Sequence, residues 1–148
     1  MNYTVVELLQ HVPDYMKLVQ ENEIEIVELL LGLGMVLPCK FKSDDFLSPM
    51  AMACEKGCLE IVKLLWRYGA SIEAEIKTHI PPLHATIRGG QVEIVCWLLE
   101  HGADVTSRYG GYYWRGRFMD EVDAVTLAAY LDEEIELMLT TEISGELR

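Results

Sequence analysis

Apolar residues recur at helical spacing through the middle of this 148-residue chain. The stretches IVKLL (61–65) and IVCWL (94–98) each place apolar side chains on one side of a helix. Each stretch follows a shorter segment that starts at a proline and ends at Gly57 or Gly90, where the chain can reverse direction. The pattern predicts pairs of short helices joined by glycine turns.

The helix pairs repeat with a fixed period. Segment 48–72 aligns with 81–105 without a gap, which superimposes the turn glycines and the Glu-Ile-Val motif of each second helix. A weaker copy at 22–34 has Asn22 at the glycine position, and Asn tolerates a left-handed backbone better than other residues with a side chain. Isolated helices need about 12–15 residues to be stable, so each pair must bury its stripe against the next pair.

These units resemble the ankyrin repeat. PLHA at 82–85 is similar to the family's TPLH signature, with Pro81 in place of Thr, and 91–104 matches the family's second helix and turn. The resemblance implies an all-α solenoid of stacked helix-turn-helix units with hairpin-like loops, and a structural His84 that ties turn to turn. Residues 1–148 are expected to form a single ankyrin-repeat domain. The expected units are 12–37, 48–72, 81–105 and a C-terminal cap at 123–143, and residues 3–11 fit one more short helix.

The segment 106–120 interrupts the regular spacing of the repeated helix pairs. The second unit ends at Gly69 and the third begins at Pro82, whereas the third ends at Gly102 and the equivalent position of the last unit is Ala124. The last junction is therefore clearly longer than the one before it. The resemblance implies that an enlarged finger lies at this junction. Insertions in a repeat array usually map to one face, which is often the binding face.

The finger has an unusual composition for this chain. YGGYYWRGRF (109–118) contains five aromatic residues and two arginines but no carboxylate. Gly110-Gly111 between aromatic residues is a signal for a two-residue hairpin turn. Two interpretations stand, and both can be partly true. The aromatic residues contact a partner, as Tyr, Trp and Arg often do at interfaces, or they fold back over the inner helices.

The charge distribution limits the classes of partner. The net charge of −12 argues against direct nucleic-acid binding and against docking on anionic lipid. Residues 119–148 carry nine carboxylates against one arginine, whereas 48–118 are nearly neutral. The acidic end is either a solvated cap or a docking face for a basic partner. No uncharged run is long enough to span a bilayer.

Candidate chemistry is sparse. Cys54 and Cys58 have the i, i+4 spacing of a zinc pair, but Gly57 should end the helix between them, and the resemblance places Cys54 at a small core position. No catalytic residue, cofactor or metal site is predicted, and we expect the chain not to be an enzyme. The N-terminal segment lacks the features of a signal peptide, so we expect reduced thiols and a cytoplasmic location, or the host cytosol if the source is a pathogen.

The sequence therefore predicts a protein-binding module that is monomeric when free. It would use its concave face and loops to block, titrate or scaffold a partner protein, whose identity the sequence does not give. The alternative is an acidic inhibitor or immunity-type protein that mimics nucleic acid and plugs a basic cleft. The predicted partner-contacting residues lie on the inner helices and the fingers: Met52, Glu55, Lys77, His79, Arg88, Tyr109, Tyr112, Tyr113, Trp114, Arg115, Arg117, Phe118, Leu127 and Tyr130.

Overall fold

The computed structural model describes residues 3–11, 15–36, 47–75 and 78–145. These residues form short helices arranged in consecutive pairs, together with one two-stranded hairpin. The elements are α1 Val5–His11, α2 Tyr15–Gln20, α3 Ile24–Gly32, α4 Pro49–Lys56, α5 Leu59–Arg67, α6 Pro82–Gly89, α7 Val92–Glu100, β1 Tyr112–Trp114, β2 Arg117–Met119, α8 Ala124–Leu131 and α9 Glu133–Ser144. The helix at Val5–His11 agrees with the short N-terminal helix expected at 3–11.

The helix pairs stack in two layers. The first helices of the pairs pack in the order α2–α4–α6–α8, while among the second helices α3 packs on α5 and α7 on α9. One continuous apolar core runs from α2 to α9, and both predicted stripes lie in it. Burying a Leu or Ile side chain fully contributes about 1.5–3 kcal/mol. The predicted all-α stack is confirmed.

The turns follow the predicted register. Gly57 and Gly90 end α4 and α6 in the left-handed conformation, with φ of 78° and 67°. Asn22 takes the same role in the first pair with φ of 60°. A left-handed backbone disfavours most side chains, so the glycine positions in the sequence located these turns correctly.

The helix starts differ between units. The Ser48 hydroxyl accepts a hydrogen bond from the Ala51 N–H at 3.1 Å, and the Asp123 carboxylate accepts one from the Thr126 N–H at 2.8 Å. Both side chains therefore cap otherwise unpaired amides at the start of α4 and α8. Pro81 stands at the equivalent position of α6 and provides no side-chain cap.

A close approach between α4 and α6 depends on a residue that the repeat pattern did not single out. Gly89 is the last residue of α6, and a Cβ atom built on it would lie 2.2 Å from the Glu55 backbone oxygen. The backbones of α4 and α6 are therefore in direct contact at this point. Across the described part of the chain, no helix is long and apolar enough to cross a membrane.

Candidate functional site

The inserted segment forms an ordered antiparallel hairpin. Strands β1 and β2 pair Tyr112 with Met119, Tyr113 with Phe118, and Trp114 with Arg117. The two turn residues, Arg115 and Gly116, both have positive φ, at 51° and 77°, as a type I′ turn requires. The prediction that Gly110-Gly111 forms this turn is wrong.

Gly110 instead closes the base of the hairpin. A Cβ atom on Gly110 would lie 2.2 Å from the Asp120 backbone oxygen, so only glycine fits there without a shift. On one side of it, Tyr109 and Val122 exchange backbone hydrogen bonds of 3.0 and 3.1 Å. On the other, the Gly111 N–H donates to the Met119 oxygen at 2.7 Å. The inserted segment is thus held together by backbone hydrogen bonds between its two strands and at its base.

The hairpin has two unlike faces, because side chains alternate along a strand. Tyr113 and Phe118 share one face, and 77% and 49% of their surfaces are exposed. Their rings meet edge to face with centroids 5.2 Å apart. On the other face, Met119 is buried and the Arg117 guanidinium lies 5.3 Å from the ring centroid of Tyr130 on α8. One face therefore covers the array while the other presents an aromatic pair to solvent.

For Tyr112 and Trp114, the structure describes the backbone in β1 but not the side chains. Arg115, at the turn, is exposed. Lys77 lies outside the described residues, so its predicted contact has no structural counterpart here. Of the predicted contact residues in the finger, those whose side chains are described and exposed are therefore Tyr113, Arg115, Arg117 and Phe118.

Tyr109 is half-buried and anchors the hairpin to the preceding unit. Its hydroxyl donates to the Thr78 backbone oxygen at 2.9 Å, and its ring packs beside a small buried cluster that includes Ile80 and Ala85. These contacts give Tyr109 a structural role at the base of the finger, and its predicted contact with a partner stays a prediction. Its aromatic character marked it as part of the finger, but its position at the base directs the ring inward.

Glu55 and Arg88 were also predicted to face a partner, and instead they pair with each other. They occupy equivalent positions of adjacent units, on α4 and α6. The Arg88 guanidinium donates to the Glu55 carboxylate, and both side chains are largely buried. Removing one member of such a pair leaves a buried charge without compensation, so the pair fixes the packing of α4 on α6.

The remaining predicted residues divide by burial. Leu127 is 1% exposed and belongs to the core, so it is not an accessible contact residue. Met52 is half-buried against the core. Tyr130 is 57% exposed and lies beside the hairpin through Arg117. Of the predicted contact residues on α4, α6 and α8, Tyr130 has the most accessible side chain.

A groove of about 580 Å³ separates the hairpin base from the preceding loop. His79, a predicted contact residue, is half-buried and lines it together with Glu75, Arg108 and Glu121. Arg108 donates to the Glu121 backbone oxygen at 2.7 Å. Sequence reasoning missed these three charged residues. The only signal available was their position at the edges of two predicted loops, which does not show that the loops face each other.

His84 has the structural role that the resemblance implied. It is fully buried, and its Nε2–H donates to the Ser107 backbone oxygen at 2.8 Å. No hydrogen-bond partner of its Nδ1 was found among the described residues. Burial lowers the pKa of His84, because protonation would place a charge in the core. The side chain therefore links α6 to the segment that leads into the hairpin.

The two candidate zinc cysteines are both buried. Cys54 is fully buried, and burial raises the pKa of its thiol to about 12. The Cys58 thiol is also buried and donates weakly to the Val19 backbone oxygen at 3.7 Å. A thiol with a raised pKa supplies little thiolate, which is the form that attacks substrates.

Comparison with known proteins agrees with this architecture. A family model described as ankyrin repeats, in three copies, matches residues 15–109, which is more than half of the chain. An ankyrin repeat protein of Acanthamoeba polyphaga mimivirus is 34% identical over 88 residues, covering 57% of this chain and 11% of that protein. Ankyrin repeat and SOCS box protein 2 of Rattus norvegicus is 31% identical over 100 residues, covering 66% and 15%. Ankyrin repeat protein nuc-2 of Neurospora crassa is 37% identical over 73 residues, covering 49% and 7%.

The matched segments are thus a small part of each of these relatives. Ankyrin repeats are generally protein–protein interaction modules, and the family is generally non-enzymatic. The matched family model, the stacked helix pairs and the left-handed turns at the repeat positions together show that this chain belongs to the ankyrin repeat family.

Proposed function

We propose that this chain binds a partner protein through the exposed face of its hairpin and the adjoining surface of α8, and that it thereby blocks, titrates or scaffolds that partner. The observation that carries the proposal is the Tyr113–Phe118 pair. Two large aromatic side chains stay exposed on a segment whose backbone is held by cross-strand hydrogen bonds. Aromatic residues on an ordered element bury much surface on binding at little cost in conformational entropy.

The surroundings of this pair support the proposal. Arg117 lies on the opposite face of the hairpin, beside Tyr130, which extends the accessible surface around the hairpin onto the array. Tyr, Trp and Arg are the residues that most often dominate binding energy at interfaces. The buried face of the hairpin, with Met119 in the core, fixes the orientation of the exposed face. The surface is therefore preorganised, which reduces the entropic cost of association.

The experiment is a comparison of two double variants. Tyr113→Ala/Phe118→Ala removes the exposed pair, and Trp66→Ala/Tyr68→Ala removes two exposed aromatic residues at the C-terminal end of α5 as a matched control. The partner is first captured from the native cell with the wild-type chain and identified by mass spectrometry. Its Kd for each purified variant is then measured by calorimetry, with thermal unfolding as a test of folding.

We expect the hairpin variant to keep its melting temperature, because both side chains are exposed. Its affinity should fall by about 2 kcal/mol or more, about thirtyfold in Kd. The control should bind with nearly wild-type affinity. An unchanged Kd for the hairpin variant would contradict the proposal, and so would a loss of affinity that follows a loss of folding.

The alternative function, an acidic mimic of nucleic acid, has one observation in its favour. Helix α9 carries Glu133, Glu134 and Glu136 in its first turn, and the first two are exposed. The same carboxylates also stabilise the start of a helix through its dipole, without any partner. Glu133→Gln/Glu134→Gln/Glu136→Gln tests the mimic, and Asp132 is left intact because it accepts a hydrogen bond from Ile135 at the helix start. A mimic should associate several-fold more slowly after this change at low salt, whereas an unchanged rate removes this alternative.

A further inference from the structure

The hairpin segment carries a net positive charge, whereas the chain as a whole is acidic. Segment 106–119 carries Arg108, Arg115 and Arg117 and no carboxylate, in a chain with a net charge of −12. Each strand is three residues long, which at about 3.3 Å per residue holds the turn about 10 Å from the hairpin base. The screening length at physiological ionic strength is about 8 Å, so charges at the turn are partly screened from the acidic body.

Arg108 and Arg117 differ in how far their charge is already compensated. Arg108, at the base, donates to the Glu121 backbone oxygen, and its Nε lies 3.9 Å from the Glu121 carboxylate. Arg117 lies over the neutral ring of Tyr130, and no ion pair within the described residues includes it. A contact with a neutral ring leaves its positive charge uncompensated. Arg115 is exposed at the turn, two residues from Arg117.

The turn that carries Arg115 joins the strand ends near which the exposed aromatic pair lies. Tyr113 and Phe118 form the second cross-strand pair from the turn, after Trp114 and Arg117, and Arg117 lies on the opposite face beside Tyr130. An arginine guanidinium binds a carboxylate through two parallel hydrogen bonds, which is the strongest contact available to it at an exposed site. A ligand that satisfies both features has a carboxylate close to an apolar or aromatic side chain.

We propose that the hairpin recognises a short acidic segment of its partner protein, in which Asp or Glu flanks an aromatic or aliphatic residue. This inference rests on the proposed function and adds the chemistry of the partner. A short segment can contact the tip alone and avoid the acidic cap. A nucleic acid is disfavoured, because the chain as a whole has a net charge of −12 and repels phosphates that extend beyond the tip.

The test is a selection from a random short-peptide library on phage, performed on the full chain and on Arg115→Glu/Arg117→Glu in parallel. The control Lys56→Glu/Arg67→Glu makes the same change in net charge at two exposed residues of α4 and α5. Circular dichroism and thermal unfolding establish that all three proteins are folded. We expect the wild type and the control to select peptides rich in Asp and Glu beside an aromatic residue, and the hairpin variant to lose that preference.

A selected peptide then gives a quantitative check. Its Kd, measured by fluorescence anisotropy, should weaken about tenfold or more for Arg115→Glu/Arg117→Glu and stay within about twofold for the control. The affinity should also fall as salt is raised, because the contact is charged and exposed. A single-stranded RNA oligonucleotide serves as the competing probe, and binding as tight as that of the peptide would overturn the inference.

The outcomes separate this inference from the proposed function. Peptides that need Tyr113 and Phe118 but contain no acidic residues would overturn the acidic-segment inference and leave the protein-binding function standing. Peptides that bind Tyr113→Ala/Phe118→Ala as tightly as the wild type would overturn both. Enrichment of Lys and Arg in the wild-type selection would overturn the inference directly.

Discussion

The contact between Gly89 and the Glu55 backbone gives the sharpest test of the packing. Gly89 is the last residue of α6, and its φ is not in the left-handed region. Replacing a glycine by alanine in a helix ordinarily stabilises it by roughly 0.5–1 kcal/mol. Helix propensity alone therefore predicts that Gly89→Ala is stabilising.

The tertiary structure predicts the opposite sign. The new Cβ atom would lie 2.2 Å from the Glu55 oxygen, whereas ordinary contact begins at 3.4 Å, so α4 and α6 would have to separate by the difference between these distances. The obstacle is backbone, which cannot rotate away as the end of a side chain can. Overpacking of this kind costs typically about 1–3 kcal/mol. After the gain in helix propensity is subtracted, we expect a net loss of up to about 2.5 kcal/mol.

Gly32→Ala is the matched control. Gly32 also ends its helix, α3, and a Cβ atom there would lie 3.2 Å from the Tyr68 hydroxyl, which is the end of an exposed side chain. The free energy of unfolding of both variants is measured by urea denaturation. We expect Gly32→Ala to match or exceed the wild type and Gly89→Ala to unfold at lower urea concentration. If Gly89→Ala is as stable as Gly32→Ala, the close packing of α4 on α6 is wrong.

Three further predictions follow from single contacts. Because the pKa of buried His84 is lowered from 6.5, the folded state binds fewer protons than the unfolded state below that pH, so wild-type stability should fall as the pH drops below about 6.5. The stability difference between wild type and His84→Gln, measured by denaturation across this range, should shrink accordingly, and a constant difference would contradict the assignment. Asp123→Ala should lower the free energy of unfolding by about 0.5–2 kcal/mol because the start of α8 loses its cap, whereas Asp123→Asn keeps the acceptor and should cost less in the same urea titration. Gly110→Ala should disrupt the hairpin base without unfolding the array, so amide hydrogen exchange should accelerate at Tyr109 and Gly111 and not in α6. Exchange rates equal to those of the wild type at Tyr109 and Gly111 would count against the close contact with Asp120.

The helix pairs could be predicted from the sequence because their signals are local. The apolar stripes at 61–65 and 94–98 and the turn glycines act within a single unit, and the repeat provides the same signals in two consecutive units. Even Asn22 was placed correctly, since a left-handed turn leaves few choices of residue. The family, the order of the helices and the location of the insertion all follow from this local information.

The candidate surface depended on contacts between units, which the repeat pattern does not specify. Equivalent positions in successive units share a face, so Glu55 and Arg88 were expected to face a partner together. Their opposite charges instead pair with each other across the junction of the two units. The same limit applies to Gly89, whose importance comes from a backbone atom of the preceding unit.

The hairpin shows most clearly what only the tertiary structure decided. The sequence predicted an enlarged finger and left open whether it covers the array or contacts a partner. Glycines at 110–111 and at 116 offered two places for the turn, and strand pairing selected Arg115-Gly116 because the close approach to Asp120 requires Gly110 at the base. This strand register determines which side chains lie on each face of the hairpin. It places Met119 in the core and leaves Tyr113 and Phe118 in solvent, because a shift of one residue in a strand exchanges its two faces.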